Sequence, residues 1–330
     1  MKLGTIGTSW ITENFIEAAK LSGKLTLTSI YSRSHEKGLA FAEKHQAPYV
    51  YTSLEEMAKK ADIDVVYIAS PNSLHYEQVK LFMRNGKHVI CEKPMFSNRN
   101  EFEDAYLTAQ NSGVYLFEAV RNIHTPSFKE LEKHITKIGK VRSAVLHSIQ
   151  YSSRYDAFLQ GEEPNVFSPA FSGGALADLG VYPLFLAVAL FGSPISSSYF
   201  PVKLRNGIDG AGTLVLNYKD SVITILCSKI SPSLIPSEIH GEEGVMVIPK
   251  ISTLDHIEYT DRKSKEKQML HVPQEENDMV YEIEDFIRII KENDHKEYGR
   301  LTDLSRKVIE ITEKARKDNQ IVFGVEKPES

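Results

Sequence analysis

The sequence predicts an α/β protein of two domains. The first has a parallel sheet, and the second has a large, open, mostly antiparallel sheet. Through residue 121, short apolar runs alternate with segments of helical periodicity, which is the pattern of βαβ units. After residue 121, extended segments follow one another with few helices between them, which is typical of antiparallel pairing. At 330 residues the chain is long enough for two cores, so we expect domains at 1–121 and 122–330.

Six apolar runs are expected to form the strands of the first domain. They are Leu3–Ile6, Leu25–Tyr31, Tyr49–Tyr51, Val65–Ala69, His88–Cys91 and Val114–Glu118. Helix signals lie between them: Ser53–Glu56 is a capping box, and Asn72 or Ser73 can cap the helix after the fourth run. Right-handed crossovers between such units produce a parallel sheet.

The second domain shows a long strand pattern and then a series of extended segments. The predicted strands are Val141–Tyr151, Ser198–Leu204, Gly212–Tyr218, Val222–Lys229, Gly244–Ile248, His256–Thr260 and Lys267–Val272. The predicted helices are Pro126–Ile135, Ala175–Phe191, Glu276–Glu292 and Thr302–Lys317. Asn217–Asp220 is typical of a hairpin turn.

Composition is that of an ordinary globular protein, with 42% hydrophobic and 25% charged residues. A net charge of -5, with acidic and basic residues interspersed, gives no electrostatic footprint for nucleic acid. The apolar run Ala175–Phe191 is too short and too interrupted for a membrane span. Cys91 and Cys227 suggest buried thiols, not a disulfide framework or a zinc site. With no signal-peptide pattern after Met1, we expect a cytoplasmic protein.

The first predicted strand runs into a turn and then a helix, which is the context required of a dinucleotide-binding fingerprint. Gly7 fits the tight turn, and Ser9 and Thr12 occupy the second and third glycine positions. The start of the helix offers N–H groups and partial positive charge to a pyrophosphate. The expected cofactor contacts here are Gly7, Thr8, Ser9, Trp10 and Ile11. The alternative is a plain strand–turn–helix without a ligand.

The ends of the second and fourth predicted strands carry further polar residues. The second strand ends in Ser32 and Arg33, where an NAD-preferring fold usually places an acid. These residues suit a 2′-phosphate, so we favour NADP(H); if Arg33 instead stacks on adenine, NAD(H) is also acceptable. The fourth strand is followed by Ser70, Pro71, Asn72 and, in the next helix, His75. We expect all four beside the cofactor, although a histidine at such a position is more often a capping or packing residue.

A lysine follows the fifth predicted strand directly, in the sequence Cys91-Glu92-Lys93-Pro94. Open α/β sheets bind ligands outside the carboxyl ends of their strands, so a cation at this point faces a ligand. Pro94 stiffens the exit from the strand. The alternative is a lysine that has simply reached solvent.

In this order and at these separations, the motifs resemble those of the Gfo/Idh/MocA oxidoreductases. The resemblance covers essentially the whole chain and includes Gly173–Tyr182, which looks like the second-domain signature of that family. It implies a Rossmann dinucleotide-binding domain at 1–121 and a substrate-binding and oligomerisation domain at 122–330. It further implies that Glu92 and Lys93 lie beside the cofactor, that Lys93 is the active-site lysine, and that Asp178 faces the substrate.

Many members of that family carry a histidine four residues after the aspartate, where this chain has Tyr182. This makes the chain more similar to the branch of the family that uses tyrosine there, which contains glucose–fructose oxidoreductase, dimeric dihydrodiol dehydrogenase and NADP-linked xylose dehydrogenase. The segment Glu118–Arg121 also resembles that branch. We expect Lys93, Asp178 and Tyr182 to be catalytic, and the same residues with Arg121 to bind substrate. A nearby ammonium favours the phenolate of a tyrosine, so Lys93 can tune Tyr182; whether Lys93 itself carries the proton is open.

The predicted activity is hydride transfer between a nicotinamide and a sugar, polyol or related hydroxy or carbonyl compound. One alternative is an NAD(P)-binding sensor without turnover. Another is a lyase or glycosidase that oxidises its substrate transiently and keeps its NAD bound. We also expect a homodimer or homotetramer, with neither nucleic acid nor membrane as a partner.

Overall fold

The computed structural model describes residues 1–327 and divides into two compact units. The first unit comprises Met1–Ala119 and Glu275–Asp303, and the second comprises Val120–Gln274 and the chain from Leu304 onwards.

The strands are β1 (Lys2–Ile6), β2 (Thr26–Tyr31), β3 (Tyr49–Tyr51), β4 (Val65–Ile68), β5 (His88–Glu92), β6 (Leu116–Ala119), β7 (Val141–Ile149), β8 (Ser196–Lys203), β9 (Asp209–Asn217), β10 (Val222–Ser228), β11 (Ser237–Gly241), β12 (Gly244–Ile248), β13 (Glu258–Asp261) and β14 (Lys267–Met269). The α-helices are α1 (Trp10–Ser22), α2 (His35–His45), α3 (Leu54–Lys60), α4 (His75–Arg84), α5 (Arg99–Ser112), α6 (Pro126–His134), α7 (Tyr155–Leu159), α8 (Val181–Phe191), α9 (Met279–Glu292) and α10 (His295–Asp318).

The first unit is built on a six-stranded sheet in the order β3-β2-β1-β4-β5-β6, with all neighbours parallel. This confirms the predicted parallel sheet, and the predicted strand ends differ from the observed ones by only one or two residues. The strand order reverses between β1 and β4, and ligands of doubly wound sheets bind at this switch point. Ile6 pairs with Ile68 and Ile68 with Cys91, so the residues that follow these strands lie along one edge.

The second unit is built on an eight-stranded sheet in the order β14-β13-β12-β11-β7-β10-β9-β8. The β7–β10 pair is parallel and the other neighbours are antiparallel, which confirms the mostly antiparallel prediction. Val222 pairs with Asn217 across the β9–β10 connection, so the predicted hairpin turn is also confirmed.

Strand β11 was not predicted from the sequence, although it lies inside the sheet between β7 and β12. Its only strongly apolar residue is Ile239, and Pro236 directly precedes it. The strand is formed because its backbone pairs on both sides, with β12 in a short hairpin and with β7, which lies far away along the chain. The β7 pairing has no local signature.

The predicted helix Ala175–Phe191 contains a π-helical turn, Leu176–Gly180, immediately before α8. Pro183 lies in the first turn of α8 and has no N–H to donate, which explains an irregular hydrogen-bond register just before it. Within residues 1–327, one segment is long and apolar enough to cross a membrane, Pro169–Phe191. Its most apolar stretch is 72% buried inside the protein, as in the core helix of a globular domain.

Helix α9 requires a correction to the predicted domain division, which assigned all of residues 122–330 to the second domain. The structure places Glu275–Asp303 in the first unit. Met279, Ile283 and Phe286 of α9 share one buried core with residues of α1 and the first sheet, and the rings of Phe286 and Phe117 stack 4.5 Å apart. Periodicity identified this apolar helix face but could not indicate which sheet it covers.

Candidate active site

The turn after β1 has the geometry expected of a phosphate-binding turn. Gly7 has φ +110°, and a Cβ at this position would lie 2.9 Å from the carbonyl oxygen of Ala69 and 3.2 Å from Oγ1 of Thr12. A side chain is therefore excluded at Gly7. Thr12, at the third glycine position, is fully buried and packs against this turn.

The start of α1 is open to a ligand. Ser9 takes the N-cap position, and its side chain accepts no hydrogen bond from the helix. The first N–H groups of a helix have no backbone partner within it. Thr8, Ser9 and Trp10 are exposed, and Trp10 is 67% exposed. Ile11 is partly buried, and its side chain packs against the core of the first unit. These features fit the pyrophosphate of a dinucleotide.

The end of β2 presents a cation. Ser32 is buried, and its Oγ accepts a hydrogen bond from the backbone N–H of Ser34 at 3.3 Å. Ser34 in turn caps α2 by accepting from the N–H of Lys37. Arg33 is exposed between these two serines, and within residues 1–327 no acidic side chain pairs with it. An unneutralised guanidinium in this position suits a phosphate group.

The end of β4 places Ser70, Pro71 and Asn72 half-buried at the same sheet edge, with the Ser70 hydroxyl donating to Oε1 of Gln78 at 2.7 Å. His75, which is predicted to contact the cofactor, is packed in the core at this sheet edge. It is fully buried, Nε2 lies 2.8 Å from the Ser70 carbonyl oxygen, and Nδ1 lies 3.2 Å from the carbonyl oxygens of Pro94 and Met95. Burial lowers the pKa of His75. This histidine therefore ties the β4 end to the loop after β5.

The segment Glu92–Met95, which contains Lys93, is held from three directions. Tyr67 of β4, which stacks on Phe15 with ring centroids 3.7 Å apart, donates its hydroxyl to Oε1 of Glu92 at 2.5 Å. Glu118 of β6 accepts the Met95 N–H at 3.0 Å, and His75 faces the carbonyl oxygens of Pro94 and Met95. The Lys93–Pro94 peptide bond is cis. The backbone on both sides of Lys93 is therefore fixed, and Lys93 itself is half-buried at the sheet edge.

In the second unit, three predicted residues lie on or near the start of one helix. Asp178 is in the π-helical turn and Tyr182 is in the first turn of α8, and both are half-buried. The guanidinium carbon of Arg121 lies 6.0 Å from the centre of the Tyr182 ring, a cation–π distance. The structure thus brings Arg121 and Tyr182 together within this unit.

The glycine pair before this helix is explained by close packing. A Cβ on Gly174, which has φ +115°, would collide with Oδ1 of Asp209, and a Cβ on Gly173 would lie 2.8 Å from the carbonyl oxygen of Asn165. Asp209 is buried, and its Oδ2 accepts hydrogen bonds from the Leu176 N–H and the Tyr199 hydroxyl, both at 2.7 Å. Burial raises the pKa of Asp209. The carboxyl group fixes the start of the helix that carries Asp178 and Tyr182.

Two residues of this region were missed by sequence reasoning. Asn122 is fully buried, and its Nδ2 donates to the carbonyl oxygens of Tyr182 at 3.2 Å and Ile251 at 3.1 Å; no local pattern indicates this long-range role. Lys229 is buried and its ammonium contacts Oδ2 of Asp178. A signal did exist for Lys229, because it directly follows a buried strand as Lys93 does.

A doubly wound parallel sheet with a phosphate-binding turn at its switch point is the architecture of a dinucleotide-binding domain. Residues 1–120 match the oxidoreductase family with an NAD-binding Rossmann fold, and residues 130–247 match the GFO/IDH/MocA C-terminal domain. The chain belongs to the Gfo/Idh/MocA oxidoreductase family and is an NAD(P)-dependent enzyme of that family. The predicted family, fold class and enzyme class are confirmed.

Individual relatives are similar over most or all of the chain. The chain is 43% identical over 323 residues to scyllo-inositol 2-dehydrogenase (NADP(+)) IolU of Bacillus subtilis (strain 168), covering 98% of both proteins. It is 29% identical over 229 residues to trans-1,2-dihydrobenzene-1,2-diol dehydrogenase of Xenopus tropicalis, covering 68% of this chain and 67% of that protein. Among solved structures, KijD10, a 3-ketoreductase from Actinomadura kijaniata in complex with NADP, has a TM-score of 0.82 at 20% identity, covering 96% of this chain and 97% of that chain.

Proposed function

We propose that this protein is an NADP(H)-dependent dehydrogenase of a polyol, with a cyclic polyol of the inositol class as the first candidate substrate. The observation that carries the substrate class is the end-to-end similarity to a protein named scyllo-inositol 2-dehydrogenase (NADP(+)). The side chains predicted at the site agree with it, because Lys93, Arg121, Asp178 and Tyr182 offer charge and hydrogen bonds to hydroxyl groups.

In the proposed mechanism, bound nicotinamide supplies the hydride chemistry. Tyr182 exchanges the proton of the reacting hydroxyl or carbonyl oxygen, since a general acid or base must lie within hydrogen-bond reach of that oxygen. Lys93 polarises the same oxygen and favours the phenolate of Tyr182. Asp178 accepts hydrogen bonds from substrate hydroxyls and so orients the ring. The hydrogen bond from Tyr67 to Glu92 supports this scheme, because it fixes the residue before Lys93.

The test is a spectrophotometric assay of the purified full-length chain at the reduced-nicotinamide absorbance band. Scyllo-inositol, myo-inositol, a trans-dihydrodiol and common aldoses are each supplied with NADP⁺ and with NAD⁺. The proposal expects net reduction of NADP⁺ with a cyclic polyol. Cofactor binding without any absorbance change would indicate a sensor, and cofactor that survives purification without net release would indicate a lyase or glycosidase; either outcome would overturn it.

The cofactor preference is tested at Arg33. We expect Arg33→Ala to weaken NADPH binding by roughly 10- to 100-fold, because a charge-assisted contact to phosphate contributes about 1.5–3 kcal/mol, and to leave NADH binding nearly unchanged. Titration calorimetry with each cofactor gives both values. Lys44→Ala, at the other end of α2, is the control and should bind both cofactors like the wild type. An equal loss of affinity for both cofactors would refute a 2′-phosphate contact.

We further propose that the protein forms a homodimer or homotetramer through the outward face of the second sheet. This face exposes Phe200 (62%) and Val202 (54%) of β8, and Phe200 lies opposite Thr213, which lies opposite Leu226. Large apolar side chains exposed close together on one face favour an interaction surface.

Light scattering after gel filtration is expected to give two or four times the chain mass of 37.2 kDa. Phe200→Asp should shift the protein towards monomer, because it places a charge in an apolar interface. The control is Leu21→Asp in α1 of the first unit, where the leucine is as exposed as Phe200. This variant should leave the mass unchanged. A wild-type protein that is monomeric at micromolar concentration would contradict the proposal.

A further inference from the structure

Lys229 is an ionisable residue in an unusual environment. It directly follows β10, it is only 2% exposed, and its ammonium contacts Oδ2 of Asp178. Its nitrogen also lies 5.3 Å from the centre of the Phe167 ring, and its backbone N–H donates to the carbonyl oxygen of Gly210 at 2.8 Å. The backbone of Lys229 is therefore fixed by a hydrogen bond, and its ammonium is placed against Asp178 and the Phe167 ring.

The ammonium of Lys229 also acts on the buried carboxyl group of Asp209, where it opposes the rise in pKa that burial causes. Asp209 fixes the start of the helix at Leu176, and Asp178 lies two residues further along. One buried cation thus interacts with two carboxyl groups at the start of the helix that carries Tyr182.

Stability alone does not explain this arrangement. Replacing a buried ion pair by well-packed apolar residues is often neutral or stabilising, so such a pair is weak evidence of a stabilising role. The two partners also differ in exposure: the side chain of Lys229 is 3% exposed, whereas that of Asp178 is 31% exposed. Asp178 therefore reaches the surface of the unit while Lys229 holds it from within.

We propose that Lys229 is a positioning residue that fixes the orientation of the Asp178 carboxylate for recognition of substrate hydroxyl groups. The residue acts through Asp178 and does not itself touch substrate, because its ammonium is buried. This inference rests on the proposed function, in which Asp178 orients a polyol, and adds a residue that determines how that carboxylate is presented.

The experiment compares Lys229→Met, Asp178→Asn and the double variant with the wild type. We expect Lys229→Met to lower kcat/KM for the polyol, and the affinity of the NADPH-saturated protein for it, at least tenfold. The Kd for NADPH should stay within twofold. In the Asp178→Asn background, Lys229→Met should change kcat/KM by less than twofold, because residues that act as one unit are not additive. Lys219→Met, in the exposed β9–β10 turn, is the control.

The outcomes separate the two proposals. If the wild-type protein neither binds nor oxidises any polyol, the proposed function fails. The positioning role fails if the wild type is active and Lys229→Met has the same kcat/KM. It also fails if Lys229→Met lowers kcat/KM by the same factor in the wild-type and Asp178→Asn backgrounds. Thermal unfolding of each variant checks the fold, and Lys229→Arg, which keeps a cation, replaces the methionine variant if that one is unfolded. The arginine variant is expected to recover part of the lost affinity.

Discussion

Replacing Tyr182 by phenylalanine is expected to lower kcat by roughly 10²- to 10⁴-fold, the usual contribution of a general acid or base, while the affinity for NADPH is unchanged. The substitution removes only the hydroxyl group. The ring remains beside Arg121, and the Tyr182 carbonyl oxygen still accepts from Asn122. The loss would therefore report on proton transfer and not on folding. Single-turnover kinetics with the true substrate, together with calorimetric titration of NADPH, measure the two quantities.

Tyr218→Phe is the matched control, because it also removes one hydroxyl in the second unit, where Tyr218 donates to the carbonyl oxygen of Gly192. It should keep wild-type turnover. If Tyr182→Phe binds NADPH and also keeps wild-type turnover, the acid/base assignment is wrong.

Lys93→Met distinguishes the two roles left open for the lysine. If Lys93 only tunes Tyr182, this variant retains some activity. In the direction of polyol oxidation, the limb on which its rate rises with pH moves to higher pH, because the phenolate that accepts the proton is less favoured. If Lys93 carries the proton, Lys93→Met removes that limb and Tyr182→Phe preserves it.

Phe286→Ala is expected to lower the free energy of unfolding by about 3–5 kcal/mol, the cost of deleting a fully buried phenylalanine. Phe286 is 1% exposed and stacks on Phe117 of β6. Its removal leaves a cavity where α9 meets the first sheet. Urea unfolding followed by circular dichroism gives the difference.

Leu107→Ala on α5, where the side chain is 55% exposed, is the control and should change stability by no more than about 0.5 kcal/mol. A loss below about 1 kcal/mol for Phe286→Ala would mean that α9 is not an integral part of the first unit. The expected loss would show that the Rossmann unit cannot be obtained by a single cut after residue 121.

The first sheet could be predicted well because its strands are buried on both faces and appear as continuous apolar runs, as Val65–Ile68 does. Its helices have local caps such as Ser53 and Asn98. Strand β11 and the placement of α9 could not be predicted. Both depend on a partner far along the chain, β7 for β11 and the first sheet for α9, and their own residues carry no record of that partner.

The residues of the candidate site also fall into those that the sequence indicates and those that only the structure identifies. Gly7, Lys93 and Tyr182 stand in recognisable local contexts, so the sequence alone singled them out. The residues that hold them, such as Tyr67 and Asn122, look like ordinary core positions, and only tertiary structure identifies their hydrogen bonds. For His75 the sequence left open a place beside the cofactor or a packing role, and only the structure identifies its contacts with the Ser70 and Pro94 carbonyl oxygens.

Trp10 has a practical consequence. It is the only tryptophan in the chain, it opens α1, and its indole is largely exposed beside the Gly7 turn. The tryptophan emission of the protein therefore comes from one reporter at the start of α1, beside the candidate phosphate-binding turn. Reduced nicotinamide absorbs where indole emits, so quenching of this emission offers a label-free optical titration of dinucleotide occupancy. The untagged protein can be followed in this way, whichever substrate it turns over.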